Sequence, residues 1–140
     1  MNILLTGGAG FIGSSLAKKL VSQNRVVIID DLNDYYDIQL KRDRLEEIKK
    51  AGNFIFEKID ICQSNALEKV FAKYDFSLIY HLAARAGVRT SIKEPVRYAE
   101  TNIIGTLNIL EAMKKYQVKN LVFASSSSVY SGNEKIPYSE

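Results

Sequence analysis

The stretch that most constrains this chain is Asn2-Ile3-Leu4-Leu5-Thr6-Gly7-Gly8-Ala9-Gly10-Phe11-Ile12-Gly13. A short apolar run ends in glycines at positions 7, 10 and 13, after which Ile12, Leu16 and Leu20 recur four apart. That order reads as strand, glycine turn, helix, which sets a dinucleotide pyrophosphate on a helix N-terminus. Gly7 permits the tight turn, Gly10 lets the backbone come close to phosphate, and Gly13 lets the helix lie tightly on the sheet. Phe11 and Ile12, in the first helical turn between them, are further candidate cofactor contacts. A glycine-rich turn can be only a turn, so the second half of the pattern matters. Arg25-Val26-Val27-Ile28-Ile29 is a β-branched run that reads as a second strand. It ends in Asp30-Asp31, with Asp30 twenty-three residues after Gly7. A carboxylate there accepts hydrogen bonds from the adenosine ribose and repels a 2′-phosphate, which favours NAD over NADP. Without the glycines, the two aspartates would merely start a solvated turn.

The rest of the chain alternates in the same way. The pattern predicts strands near 2–6, 26–29, 53–57, 76–80 and 119–124, and helices near 11–23, 37–51, 64–73 and 97–116. Five strands with helical crossovers give an α/β fold, a doubly wound parallel sheet of the Rossmann type, with expected strand order 3-2-1-4-5. At 140 residues, 1–140 is expected to be one nucleotide-binding domain. The helix over 37–51 carries a charge run (Lys41, Arg42, Asp43, Arg44, Glu46, Glu47, Lys49, Lys50) with Ile38, Leu45 and Ile48 inward. The run reads as a solvated face. In the helix over 97–116, Ile103, Leu107, Leu110 and Met113 read as a core stripe. Leu121-Val122-Phe123-Ala124 is continuously apolar, as buried parallel strands are.

Bulk properties narrow the function classes. A net charge of +3, with basic residues scattered among acidic ones, gives no nucleic-acid stripe. The single cysteine, Cys62, excludes an internal disulfide and supplies no metal-ligand spacing; it reads as a passive residue. No apolar stretch approaches the roughly 20 residues of a membrane span, and the start lacks the form of a signal peptide. A reducing cytoplasm is the expected compartment.

Open α/β sheets bind ligands at the carboxyl ends of their strands. Three further stretches fall there: Asp60-Ile61, His81 to Arg89, and Ser125-Ser126-Ser127-Ser128-Val129-Tyr130. Small residues at 83, 84, 86 and 87 would let a flat ring or sugar approach the backbone. Simpler roles stand beside these. The serines could satisfy their own strand end. His81, the only histidine, reads better as a structural residue than as a catalyst. Asn102 could brace a helix, and Tyr35 and Tyr36 could pack a loop. Arg85 and Arg89 are either surface charges or recognise phosphate or carboxylate.

Taken in order, Thr6 to Gly13, His81-Leu82-Ala83-Ala84, Thr101-Asn102-Ile103-Ile104-Gly105-Thr106 and Ser125 to Tyr130 resemble the NAD-dependent sugar epimerase/dehydratase family, the extended short-chain dehydrogenases. The resemblance covers essentially the whole chain. Leu32-Asn33-Asp34-Tyr35-Tyr36-Asp37, Ala84 to Arg89 and the serine stretch look most like the UDP-glucuronate 4-epimerase subgroup. The resemblance implies that NAD takes hydride from C4 of a nucleotide-linked sugar and returns it to the other face of a 4-keto intermediate, with tyrosine and lysine as acid–base groups. It implies Ser126 as the catalytic hydroxyl. Asp30, Asp31, Leu32 and Asn33 would contact the adenosine ribose, and Asp60 and Ile61 the adenine. Leu82, Ala83, Ala84 and Thr101 would lie further along the cofactor. Arg85 and Arg89, with Ser126 and Ser127, would border the sugar. A homodimeric parent enzyme acting on a UDP-sugar is implied, without a metal.

One family element is missing. No tyrosine has a lysine four residues on, and Tyr138 lies too near the end to have a partner. The family's Tyr-x-x-x-Lys pair falls just beyond this sequence. The resemblance therefore implies an N-terminal piece of a longer enzyme, inactive alone. It also implies that the stripe on helix 97–116 loses its neighbouring helix and drives self-association. A non-catalytic NAD-binding module remains the alternative from another class. A nucleotide-sugar 4,6-dehydratase is a third reading, disfavoured because the four serines bring no acid.

Overall fold

A computed structural model describes residues 1–138. Five parallel strands form one sheet: β1 (Asn2–Thr6), β2 (Arg25–Asp30), β3 (Ile55–Lys58), β4 (Leu78–His81) and β5 (Leu121–Phe123), in the order β3-β2-β1-β4-β5. This is the expected 3-2-1-4-5 order. Leu4 pairs with Val27 and with Ile79, which puts β1 at the centre.

Side chains alternate across a strand, so each strand feeds both faces. Leu4, Val27, Ile29 and Ile79 point to one face, where Leu67, Val70 and Phe71 of α3 (Ser64–Lys73) and Ile109, Ala112 and Met113 of α6 (Thr106–Lys115) cover them. Leu5, Val26 and Ile28 point to the other, against Ala17 and Val21 from α1 (Phe11–Leu20) and its end, and Leu45 and Ile48 of α2 (Ile38–Ala51). Each fully buried aliphatic side chain contributes about 1.5–3 kcal/mol of transfer free energy.

Several expectations change. The helical region begins earlier than position 97, with two short helices, α4 (Val88–Lys93) and α5 (Pro95–Ala99), then a π-helical turn (Glu100–Gly105) that runs into α6. The buried face of this last helix is Gly105, Ile109, Ala112 and Met113, whereas Ile103 is 64% exposed and Leu107 and Leu110 also face outward. Met113 is buried as expected, but Gly105 and Ala112 carry little hydrophobic signal, so reading the stripe from large apolar residues misplaced Ile103, Leu107 and Leu110. The packing at Gly105 is close: a Cβ would lie 2.6 Å from the Ile61 side chain, which would have to shift. Helix α1 shows the same effect. Gly13, Ser14 and Ala17 are buried, while Ile12 is exposed. Strand β5 is not buried either; Val122 and Phe123 are about half exposed. It hydrogen-bonds only to β4 among the described residues, and an apolar run does not by itself distinguish an edge strand from a central one.

Candidate functional site

A cavity of about 420 Å³ opens at the carboxyl ends of the strands. Its floor is the glycine turn. Gly7 takes φ +68°, donates its N–H to Ile29 O at 2.8 Å, and accepts from Gly10 N at 3.0 Å. A Cβ on Gly7 would meet Ala83 N at 2.8 Å, so β1 and the segment after β4 touch through bare backbone. A Cβ on Gly13 would sit 2.2 Å from Gly7 O. Gly10 begins α1 without any side-chain cap, so the first-turn N–H groups at Phe11, Ile12 and Gly13 face the cavity these residues line. The helix end offers donors and a partial positive charge to an anion.

Asp30, at the end of β2, forms one wall. Its Oδ2 accepts the Ala9 N–H at 3.1 Å, which ties the glycine turn to β2, and its Oδ1 accepts the Leu32 N–H at 3.0 Å. Leu32 itself has φ +51°. Burial pushes the Asp30 carboxyl above the usual carboxylate range; the Leu32 N–H and the Lys41 ammonium oppose that shift.

Lys41 corrects the reading of α2 as charged and solvated. It is only 5% exposed, with Nζ 3.6 Å from Asp30 Oδ1, 3.9 Å from Asp31 Oδ1 and 3.1 Å from Asn33 Oδ1. Asn33 in turn donates its N–H and its amide to Asp31. The signal was present in the sequence. Positions 38, 41, 45 and 48 share one helical face, so Lys41 lies within the apolar stripe. Arg44, one turn on, donates to Tyr36 Oη at 2.7 Å and lies over the rings of Phe11 and Tyr36. Lys41, Arg44, Tyr35 and Tyr36 all line the cavity.

The remaining walls come from the segment after β3, beside Asp30, and the segment after β4. Asp60 Oδ1 accepts the Cys62 N–H at 2.9 Å, and Asn108 holds Ile61 O. Leu82, Ala83 and Ala84 are followed by Arg85, whose guanidinium stands over the Tyr35 ring. Tyr35 and Tyr98 both donate to Ala86 O at 2.6 Å. The Cys62 thiol is pushed up to about 11, chiefly by burial, so it stays protonated and is a poor nucleophile.

Of the residues singled out from sequence, the cavity gathers Gly7, Gly10, Phe11, Ile12, Gly13, Asp30, Asp31, Asn33, Asp60, Ile61, Leu82, Ala83, Ala84, Arg85 and Thr101. Leu32, Arg89, Ser126 and Ser127 are not on its lining. Arg89 is exposed on α4, and Ser126 is exposed at the start of a 3-10 turn (Ser127–Tyr130), its hydroxyl accepting the Ser128 N–H at 3.2 Å. Among the described residues, no cluster of three metal-ligating side chains occurs and no helix is long and apolar enough to cross a membrane.

Glycine turn, acidic end of β2 and strand order together define the Rossmann-type class of α/β domain. Residues 4–140 match the GDP-mannose 4,6 dehydratase family, and the chain belongs to it. The UDP-glucuronate 4-epimerase of Thermodesulfobacterium geofontis is 51% identical over 130 residues, 92% of this chain and 40% of that protein. A crystal structure of UDP-glucose 4-epimerase from Bifidobacterium longum in complex with NAD+ and UDP superposes with TM-score 0.89 at 28% identity, covering 100% of this chain and 41% of that one. That of UDP-glucuronic acid 4-epimerase from Bacillus cereus, in complex with UDP-glucuronic acid and NAD, superposes with TM-score 0.81 at 38% identity, covering 93% and 41%. The chain thus spans about two fifths of the length of these relatives.

Proposed function

We propose that the chain is the cofactor-binding part of an NAD-dependent nucleotide-sugar 4-epimerase of the UDP-glucuronate type. The observation that carries this reading is the convergence of the uncapped α1 N-terminus, the Asp30–Lys41 pair and the Leu82–Arg85 segment on one cavity. The likeness to UDP-glucuronate 4-epimerases of known sequence and structure supports the substrate class.

The donor set suits a dinucleotide. First-turn N–H groups at Phe11, Ile12 and Gly13 bind the pyrophosphate. Asp30 still has lone pairs free beside Ala9 and Leu32 for a ribose diol, and the Lys41 ammonium favours its ionised form against the effect of burial. Asp31, Leu32 and Asn33 complete the ribose edge, and Asp60 and Ile61 border the adenine. Leu82, Ala83, Ala84 and Thr101 lie along the redox half. When bound, NAD+ supplies the hydride acceptor. Arg85 and Arg89 offer charge to a sugar diphosphate or a carboxylate, while the Ser126 and Ser127 hydroxyls hydrogen-bond the reacting sugar. No acid stands in Ser125 to Tyr130, which favours the epimerase reading over a 4,6-dehydratase. The whole protein works in the cytoplasm as a homodimer; the outward apolar face of Ile103, Ile104, Leu107 and Leu110 supports an assembly surface.

Calorimetry of the chain with NAD+, NADP+ and the Asp30→Ala variant tests the reading. NAD+ is expected to bind more tightly than NADP+, and Asp30→Ala to weaken NAD+ binding. Equal affinity for both nucleotides, or a variant that binds NAD+ as well as the parent, overturns it.

A further inference from the structure

His81 is the sole histidine, 2% exposed, and among the described residues its ring hydrogen-bonds only to Thr6 and Thr106, neither assigned above to cofactor or substrate. Its ring is bonded at both nitrogens: Nδ1 to Thr6 Oγ1 at 2.7 Å and Nε2 to Thr106 Oγ1 at 3.0 Å. The protons can be placed by counting donors. A threonine hydroxyl has one proton, and that of Thr106 goes to Asn102 O at 2.8 Å. Nε2 must therefore be the donor to Thr106. A neutral imidazole has one N–H, so Nδ1 accepts the Thr6 hydroxyl proton. Thr6 Oγ1 is left with its lone pairs, and these accept the N–H groups of Leu82 at 3.1 Å and Ala83 at 3.0 Å.

The far end of this chain of bonds returns to the same segment. Asn102, whose carbonyl accepts from Thr106, grips Arg85 with its side chain: Oδ1 accepts the Arg85 N–H at 2.8 Å and Nδ2 donates to Arg85 O at 2.9 Å. Residues 82–85 are thus held at one end by Thr6 and at the other by Asn102, and His81 joins the two clamps. Asn102 and its carbonyl lie in the π-helical turn Glu100–Gly105. Such turns carry altered backbone bonding and recur at functional sites.

We propose that His81, as the neutral Nε2–H tautomer, is a positioning residue that couples the Thr6 clamp to the Asn102 clamp and so fixes the Leu82–Arg85 wall of the cavity. The consequence for nucleotide affinity rests on the reading of that cavity as the cofactor site; the coupling itself does not. Burial also disfavours the imidazolium, lowering the His81 pKa to about 4.

The test uses 15N-labelled whole chain. Ring nitrogen shifts at neutral pH are expected to show a protonated Nε2 and a hydrogen-bonded, unprotonated Nδ1. The opposite tautomer, or an imidazolium, overturns the proposal without any variant. Thr106→Val then removes the Nε2 acceptor with little change of shape, and Thr106→Ser restores it. Thr106→Val is expected to speed amide exchange at Leu82 and Ala83, on the far side of the ring, and to weaken NAD+ binding about three- to tenfold, the weight of one neutral hydrogen bond. Thr106→Ser should restore both. If Leu82 and Ala83 exchange equally in the two variants, the coupling is refuted. If wild type shows no NAD+ binding while the exchange pattern holds, the cofactor reading fails and the coupling stands.

Discussion

Lys41→Met offers a direct test of the Asp30 wall of the cavity. Methionine keeps an apolar stem of similar length and removes the ammonium, which stands 5.2 Å from the centre of the Tyr36 ring. At 3.6 Å from Asp30 Oδ1, an effective dielectric near 20 gives a gross attraction of about 4–5 kcal/mol. Removing one partner of a buried pair typically costs about 3–5 kcal/mol because the remaining charge is stranded. Here the Ala9 and Leu32 N–H groups still serve the carboxylate, so a loss of about 2–3 kcal/mol at neutral pH is expected. The pH dependence separates lost charge pairing from lost packing. Burial already raises Asp30 in the folded state, and the variant raises it further. A carboxyl with a raised folded pKa binds more protons folded than unfolded, so its penalty grows as pH rises through the folded value and fades below the unfolded value near 3.8. Urea unfolding followed from pH 7 down towards 3.8 should therefore show the deficit shrinking. Adding Asp30→Asn, which removes the stranded charge, should recover part of the loss. A Lys41→Met protein as stable as the parent, or one whose deficit does not change with pH, would refute the argument.

Other substitutions test separate parts of the structure. Gly13→Ala places a Cβ 2.2 Å from Gly7 O and 2.8 Å from Gly8 Cα, both backbone atoms. The turn must move, at a cost of roughly 1–3 kcal/mol, and calorimetry should show lost NAD+ binding. His81 has a folded pKa lowered to about 4 from 6.5, so the unfolded chain binds the extra proton between these values and stability falls as pH drops through them. The full effect is about 3 kcal/mol, of which about 2 should be lost by pH 5; His81 ring shifts that titrate near 6.5 in the folded protein would contradict it. Leu107→Lys with Leu110→Lys places charges on the outward face of α6. Light scattering should then report less self-association than in the parent, with unfolding stability little changed.

The alternation of strand and helix, and hence the 3-2-1-4-5 sheet, was legible because the strands are short apolar runs, β-branched in β2, separated by stretches of helical periodicity. The glycine turn was legible because its demands are local: a positive φ at Gly7 and a Cβ-free contact at Gly13 admit almost no other residue. Asp30 followed from its place at the end of the second strand. Burial of small and polar residues was harder to read. Gly105 and Ala112 face the core while Ile103 and Leu107 do not, and the close approach of Ile61 to Gly105 suits a small residue there.

Lys41 shows the same division. In sequence it is one charge among many on α2; in the fold it is the buried cation facing Asp30, Asp31 and Asn33. His81 was read as structural from its position at a strand end, but its proton assignment depends on Thr6, Thr106 and Asn102. The sequence by itself determined the fold class, the glycine turn and the acidic end of β2, because short-range backbone geometry and strand position dictate them. Only the tertiary structure decided which charge is buried, which helix face is covered and how the Leu82–Arg85 wall is held. Those depend on partners between 8 and 77 positions apart, and no local pattern encodes them.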